Sequence, residues 1–308
     1  MARCFVTRDL PGPALDQLRA CHEVDVWPGR EPPPHEELRR RCADADGLLS
    51  LLTDRVDAEL IAAAPRLRAI ANYAVGYDNI DLGAAAARGI AVGNTPDVLT
   101  DATADLTFTL LLAAARRLPQ ALDSVRRGDW LTWEPARHLG FDVHGATLGI
   151  VGLGRIGQAV AQRAEGFAMT VLHTGRRGGV PLDELLERAD FVSLHCPLTP
   201  ETHHLIDAAA LERMRPTAIL VNTARGPIVD QAALVAALHA GQIAGAALDV
   251  TDPEPPAPDD PLLSAPNVIV APHIGSATHS ARERMAQLAV DNLMAALDGR
   301  PMPHPVGV

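Results

Sequence analysis

Three ionisable side chains, Arg225, Glu254 and His273, each stand shortly beyond a short apolar run, at 218–222, 244–249 and 268–271. Together they suit hydride transfer to a small 2-oxo acid. The planar guanidinium of Arg225 can clamp a carboxylate and its neighbouring carbonyl, which an ammonium does less well. His273 can give a proton to the carbonyl oxygen as hydride arrives on the carbon. A carboxylate at Glu254 beside it would favour the charged ring and fix its orientation. Asp249 closes its run and is expected either to face a nicotinamide amide or simply to shape the turn. Val75 and Gly76 could offer main-chain N–H groups to the substrate carboxylate. One histidine among the 12 in the chain says little. Joint placement beyond three successive strands, where open α/β sheets bind ligands, carries the reading.

A cofactor for that chemistry is indicated at Gly152-Leu153-Gly154-Arg155-Ile156-Gly157, a G-x-G-x-x-G. The pattern alone is weak, but here it follows the apolar run TLGIV and opens a helix, the context in which it binds a pyrophosphate. Glycines permit the tight turn and close approach, and the helix N-terminus supplies N–H groups and partial positive charge. NAD enzymes usually place an acid about 20 residues further on, at the end of the second strand, to bind the ribose. This chain reads His173-Thr174-Gly175-Arg176-Arg177 there. Two guanidiniums suit a 2′-phosphate, so NADP(H) is expected in preference to NAD(H). His195-Cys196-Pro197 is expected on the adenine side, with the Cys196 thiol packed rather than reactive.

Strands and helices must position these groups. In the first third, β-rich runs at 4–7, 24–26, 47–51, 67–71 and 90–92 alternate with helical stretches such as 36–43 and 56–64. A long Ala/Leu helix spans 101–118, apolar on both faces and so expected between layers. Pro119 should end it. The stretch 119–145 reads as an irregular arm holding Trp130 and Trp133. Six further runs, 146–151, 169–173, 190–194, 218–222, 244–249 and 268–271, alternate with helices, the pattern of parallel βαβ units and a doubly wound dinucleotide-binding sheet. The helical segment 277–298 leads back to the first domain, and 252–266 reads as a structured loop.

Composition sets outer bounds. At 308 residues, two domains are expected. The net charge of −11 disfavours nucleic acid as a partner. All 27 basic residues are arginine, which excludes Schiff-base, P-loop and kinase lysine chemistry. Cys4, Cys21, Cys42 and Cys196 form no C-x-x-C pair, so a reduced, cytoplasmic setting is expected. With no long apolar stretch before Pro11, a secretory leader is not expected, and the apolar segment 106–115 is too short to span a bilayer. His203-His204 are adjacent, which suits no chelate, and no metal is expected.

The motifs AVGYDNID (74–81), GNTPDVLTDATAD (93–105), GLGRIG (152–157), NTARG (222–226), ALDVTDPEP (247–255) and PHIGSAT (272–278) resemble the D-2-hydroxyacid dehydrogenase family over essentially the whole chain. TPDVLTDATAD, WLTW, HTGRR and LDVTDPEPPAPDDPLL look most like its glyoxylate/hydroxypyruvate reductases. The resemblance implies two doubly wound α/β domains: a Rossmann-type cofactor domain (99–281) inserted in a flavodoxin-like substrate domain (1–98 and 282–308). It maps the family's catalytic trio onto Arg225, Glu254 and His273, the carboxamide-binding acid onto Asp249, and the substrate loop onto Val75 and Gly76. Leu52 and Ser276 join the implied substrate contacts. Thr103, Thr202, Thr223, Ala224 and Gly275 join the implied cofactor contacts. It also implies a homodimer formed through the arm, with Trp133 either reaching the partner's active site or packing within the arm. The loop between Arg177 and Leu182 is shorter than in such enzymes.

Two other readings share this scaffold. One is a dinucleotide-sensing corepressor without catalysis, which the intact trio opposes. The other is an NAD-dependent dehydrogenase for another acid such as phosphoglycerate, which the missing acid opposes. A phosphorylated substrate also calls for further basic groups in the first domain, where Arg55 is the one evident candidate.

Overall fold

The computed structural model describes residues 1–176 and 178–307; Arg177, expected above as a cofactor contact, lies outside the described residues. The chain divides into two compact units, Met1–Leu99 with Ala277–Val308, and Thr100–Ser276. The sequence boundaries at 98/99 and 281/282 compare with 99/100 and 276/277 in the structure. The last helix starts at His279, capped by Thr278, and so belongs whole to the first unit.

In the first unit β1 (Arg3–Val6), α1 (Ala14–Cys21), β2 (Glu23–Val26), α2 (His35–Cys42), β3 (Gly47–Ser50), α3 (Ala58–Ala63), β4 (Ala69–Asn72), α4 (Leu82–Ala87) and β5 (Ala91–Gly93) alternate. Among the described residues they form a parallel sheet in the order β2-β1-β3-β4-β5. The central strands GLLS and AIAN are buried along their length, as strands covered on both faces must be.

The second unit holds α5 (Thr100–Ala115), α6 (Leu118–Arg126), β6 (Thr147–Val151), α7 (Arg155–Glu165), β7 (Thr170–Thr174), α8 (Leu182–Arg188), β8 (Phe191–Leu194), α9 (Ala208–Arg213), β9 (Ile219–Asn222), α10 (Gln231–His239), β10 (Gly245–Leu248), α11 (Pro261–Ser264) and β11 (Val268–Val270). Its parallel sheet runs β11-β10-β9-β8-β6-β7. Successive side chains go to opposite faces. Leu220 and Leu248 join one core with Leu185, Leu211 and Leu234. Ile219, Val221 and Ala247 join another with Phe108, Leu111 and Val160. Then α12 (His279–Leu297) returns to pack on α1, β3, β4 and β5 of the first unit.

Aspartates at 57, 81, 207, 230 and 260 cap helices α3, α4, α9, α10 and α11, each accepting a main-chain N–H of the first turn. Such a cap contributes about 1 kcal/mol, which accounts for part of the acidic excess.

Two sequence expectations need correcting. The arm is not irregular throughout: residues 118–126 form α6. Arg117 turns out of α5 at φ 50°, and Pro119 falls in the first turn of α6, where its missing N–H is no loss. The segment 252–266 likewise contains a short helix, α11. Among the described residues no helix is long and apolar enough to cross a membrane, and no group of His, Cys, Asp and Glu could hold a metal ion. His203 and His204 stack their rings with centroids 4.0 Å apart.

Candidate active site

The glycine motif stands where the strand order of the second sheet reverses, between β6 and β8. Each glycine has its own reason. Gly152 adopts φ 96°, and a Cβ there would lie 2.6 Å from the Cys196 main-chain nitrogen. A Cβ on Gly157 would lie 2.3 Å from the Gly152 carbonyl oxygen. Around Gly154 a Cβ would meet nothing within 4 Å. Gly154 also precedes α7, whose first turn has no side-chain cap and no acid. Two glycines thus close the turn, and the middle one leaves room over an uncapped helix N-terminus that opens with Arg155 and Ile156. That arrangement fits a dinucleotide pyrophosphate.

The second strand ends beside this turn. Gly152 N–H donates to the Thr174 carbonyl at 2.9 Å, and Gly175 lies against Gly152. The loop beyond is tight: Val180 N–H donates to the His173 carbonyl, and a Cβ on Gly179 would sit 1.9 Å from that same oxygen. Arg176 is exposed. Its charge reaches Glu201, whose carboxyl is held below its ordinary range mainly by the Thr199 hydroxyl and to a lesser degree by Arg176. This acid near Arg176 escaped the sequence reading, because it arrives from the loop after β8.

That loop carries the adenine-side candidates. His195 bonds Ser193 Oγ through Nε2 at 2.8 Å, and burial pushes its ring down to about 4. Burial pushes the Cys196 thiol up to about 11, as a packed cysteine requires. The hydroxyl of Thr202 donates to the Pro197 carbonyl at 2.7 Å and folds the turn.

Three strand ends carry the ionisable trio. Past β9, Asn222 folds the chain back on itself: its Oδ1 accepts from Ala224 N and its Nδ2 donates to the Arg225 carbonyl. Arg225 Nη1 donates to the Ala224 carbonyl at 2.8 Å. Thr223 meets Thr107 of α5, Oγ1 to Oγ1, at 3.0 Å. Past β10, Asp249 is 1% exposed, and its two oxygens accept from Ile274 N and Gly275 N at 2.7 Å each. Burial raises its pKa, against the effect of those two donors. Thr103 completes the cluster, since a Cβ on Gly275 would lie 3.2 Å from Asp249 Oδ2 and 3.3 Å from Thr103 Oγ1. Ser276 follows, half-buried.

Past β11, His273 presents Nδ1 to Glu254 Oε1 at 2.6 Å. A hydrogen bond that short and charge-assisted fixes the ring and leaves Nε2 as the atom that faces elsewhere. The loop carrying Glu254 is tied down by residues the sequence reading missed. Gly226, next to Arg225, packs so closely on Thr251 that a Cβ would lie 1.9 Å from its carbonyl oxygen. Gln231 accepts from Asp252 N at 3.0 Å and donates to Asp260 at 3.1 Å. The glycine of NTARG was visible, but its reason was not.

In the first unit Leu52 follows β3, and Val75-Gly76 follow β4. Leu52 borders a cavity of ≈ 400 Å³ whose walls include Asp54, Arg55, Asp57, Asp78 and Asp81. Arg55 is engaged there with Asp57 at 2.8 Å.

Residues 108–275 match the family model described as D-isomer specific 2-hydroxyacid dehydrogenase, NAD binding domain. A glyoxylate reductase of Korarchaeum cryptofilum is 52% identical over 314 residues, covering 98% of this chain and 95% of that protein. A glyoxylate reductase of Thermococcus gammatolerans is 51% identical, covering 98% and 94%. Among solved structures, a protein of Thermus thermophilus superposes with a TM-score of 0.93 at 52% identity, covering 99% of this chain and 100% of that one. An NADPH-dependent glyoxylate/hydroxypyruvate reductase of Sinorhizobium meliloti, solved with NADP and malonate, gives 0.88 at 36% identity, covering 99% and 97%.

Proposed function

The chain belongs to the D-isomer-specific 2-hydroxyacid dehydrogenases, a family of enzymes, and on that premise we propose that it uses NADPH to reduce a small 2-oxo acid. Glyoxylate and hydroxypyruvate are the substrates best supported, giving the 2-hydroxy acid, as the D-isomer where the product is chiral. The observation that carries the reading is the Glu254–His273 pair, 2.6 Å apart at Nδ1. A nicotinamide dinucleotide held at the 152–157 turn would supply the hydride. His273 releases the proton on Nε2 to the carbonyl oxygen, and Glu254 stabilises the ring while it is charged. Arg225 binds the carboxylate and the polarised carbonyl, and the N–H groups of Val75 and Gly76 are further donors suited to a carboxylate. Asp249 holds the loop of His273 and retains lone pairs for the nicotinamide amide.

NADPH is favoured because Thr174-Gly175-Arg176 ends the second strand without an acid. Phosphorylated acids are disfavoured, because Arg55 is already paired and shares its cavity wall with four aspartates. Exposed Trp130, Leu131 and Trp133 in the arm, with Leu122 and Val125 of α6, offer a face for a second copy of the chain. The free cysteines suit a cytoplasmic setting. The test is a panel of 2-oxo acids with NADPH and NADH at one pH. Highest kcat/KM with glyoxylate or hydroxypyruvate and NADPH is expected. Preference for NADH, or for 3-phosphohydroxypyruvate, would overturn the corresponding half of the reading, and no turnover of any acid would favour a dinucleotide sensor.

A further inference from the structure

Three consecutive carbonyls after β4 are each taken by a donor from the fold. The Ala74 carbonyl accepts from Thr95 N–H at 2.9 Å, Val75 from Asn94 Nδ2 at 2.7 Å, and Gly76 from Asn72 Nδ2 at 2.8 Å. In a trans peptide the N–H points opposite to the C=O of the same plane. Fixing these three carbonyls therefore turns the N–H groups of Val75, Gly76 and Tyr77 the other way. None of the three donates to an acceptor among the described residues. Successive N–H groups left bare on one side of a loop form a concavity that attracts an anion.

The donors are themselves braced. Asn72 is fully buried, accepts from Ser50 Oγ at 3.0 Å, and donates to Asn79 Oδ1 at 3.1 Å. Asn79 donates in turn to the carbonyls of Leu51 and Asp54, both at 3.0 Å, holding the turn that contains Leu52. The Asn94 carbonyl accepts from Asn292 on α12 at 2.9 Å. Leucine or alanine at 72 or 94 would fill space but could not pull a carbonyl inward.

We infer that Asn72 and Asn94 are positioning residues that orient the 74–77 peptides into a carboxylate receptor, whose third donor is the N–H of Tyr77. They act through the loop rather than by touching substrate. This rests on the functional reading above and adds to it the groups that set affinity for the acid.

The test uses Asn94→Leu, close in size but without a donor, and Asn94→Gln, which keeps one. Asn94 is chosen because Asn72 is fully buried and its variants risk misfolding. Oxamate, a carboxylate that is not reduced, reports on the receptor by calorimetry on the full chain without turnover. In Asn94→Leu, oxamate affinity is expected to fall, and KM for glyoxylate to rise, by about tenfold, which corresponds to about 1.4 kcal/mol. The kcat should stay within about threefold and NADPH affinity should be unchanged, with partial recovery in Asn94→Gln. A folded Asn94→Leu with unchanged oxamate affinity, or one that loses NADPH and oxamate in parallel, would overturn the inference. A wild-type protein that binds oxamate, loses it in Asn94→Leu, yet reduces no 2-oxo acid would uphold the receptor and refute the functional reading.

Discussion

His273 sits at φ 52°, in the left-handed region that side chains other than glycine seldom adopt. Such a residue costs about 1–2 kcal/mol unless its surroundings hold it. Here the Asp249 carboxylate takes the next two N–H groups, and the Asp249 carbonyl accepts from His273 N itself at 2.9 Å. The ring is thereby aimed twice, by its backbone and by Glu254. His273→Ala should lower kcat about 10²–10⁴-fold while leaving NADPH binding nearly intact; stopped-flow reduction and a fluorescence titration check this, and retained turnover at neutral pH would remove His273 from its role. Glu254→Gln keeps the size of the partner but replaces the carboxylate that holds Nδ1 of the ring. The kcat for reduction should then fall about tenfold or more with NADPH affinity unchanged, and unchanged turnover would break the proposed link between the two residues.

At the scale of elements, the loops beyond the strand ends do the positioning. Gly154→Ala adds a methyl where nothing lies within 4 Å, over the start of α7. Stability should barely change, with Tm within a few degrees of wild type, while NADPH affinity falls about tenfold or more if, as proposed, the backbone here meets the pyrophosphate. Tight NADPH binding in this variant would move the phosphate site elsewhere. The loop after β8 gives a pH-dependent effect. Burial holds His195 at about 4, whereas an unfolded histidine titrates near ~6.5. As pH falls below ~6.5, the unfolded chain takes up this proton first. Stability from the neutral ring is therefore complete above ~6.5 and is lost toward pH 4. Thermal melts from pH 7 to 4.5 should show a smaller drop in Tm for His195→Gln than for wild type; equal drops would mean the ring charges freely in the folded state.

For the whole molecule, Leu131 is 88% and Trp133 80% exposed, beside Trp130 at 66%. Large apolar side chains in this density on one segment suit the proposed contact with a second copy of the chain. Leu131→Asp with Trp133→Asp should convert a dimer into monomer in analytical ultracentrifugation, with little change in the secondary-structure signal. A wild-type monomer at micromolar concentration would refute the dimer, and an unchanged dimer in the variant would place the interface elsewhere.

The fold class was legible because parallel strands buried on both faces read as short apolar runs, and every run after the arm became a strand of the second sheet. The glycine turn before α7 and the places of Arg225, Glu254 and His273 beyond three strand ends were legible as well, since the apolar runs mark where each strand stops. The helix at 118–126 was not, because a proline reads alike as the end of one helix and the first turn of the next. Nor were Asn72, Asn79, Asn94, Gln231 or the reason for Gly226. An asparagine in sequence is an undirected polar group, and only tertiary contact decides which carbonyl it pulls and where the opposite N–H then points. The sequence by itself determined which groups this enzyme brings to its chemistry. Their aim, with Nδ1 of His273 on Glu254 and three carbonyls of the 74–77 loop turned inward, was decided by the tertiary structure, because hydrogen-bond direction depends on positions that residues far apart in the chain acquire only on folding.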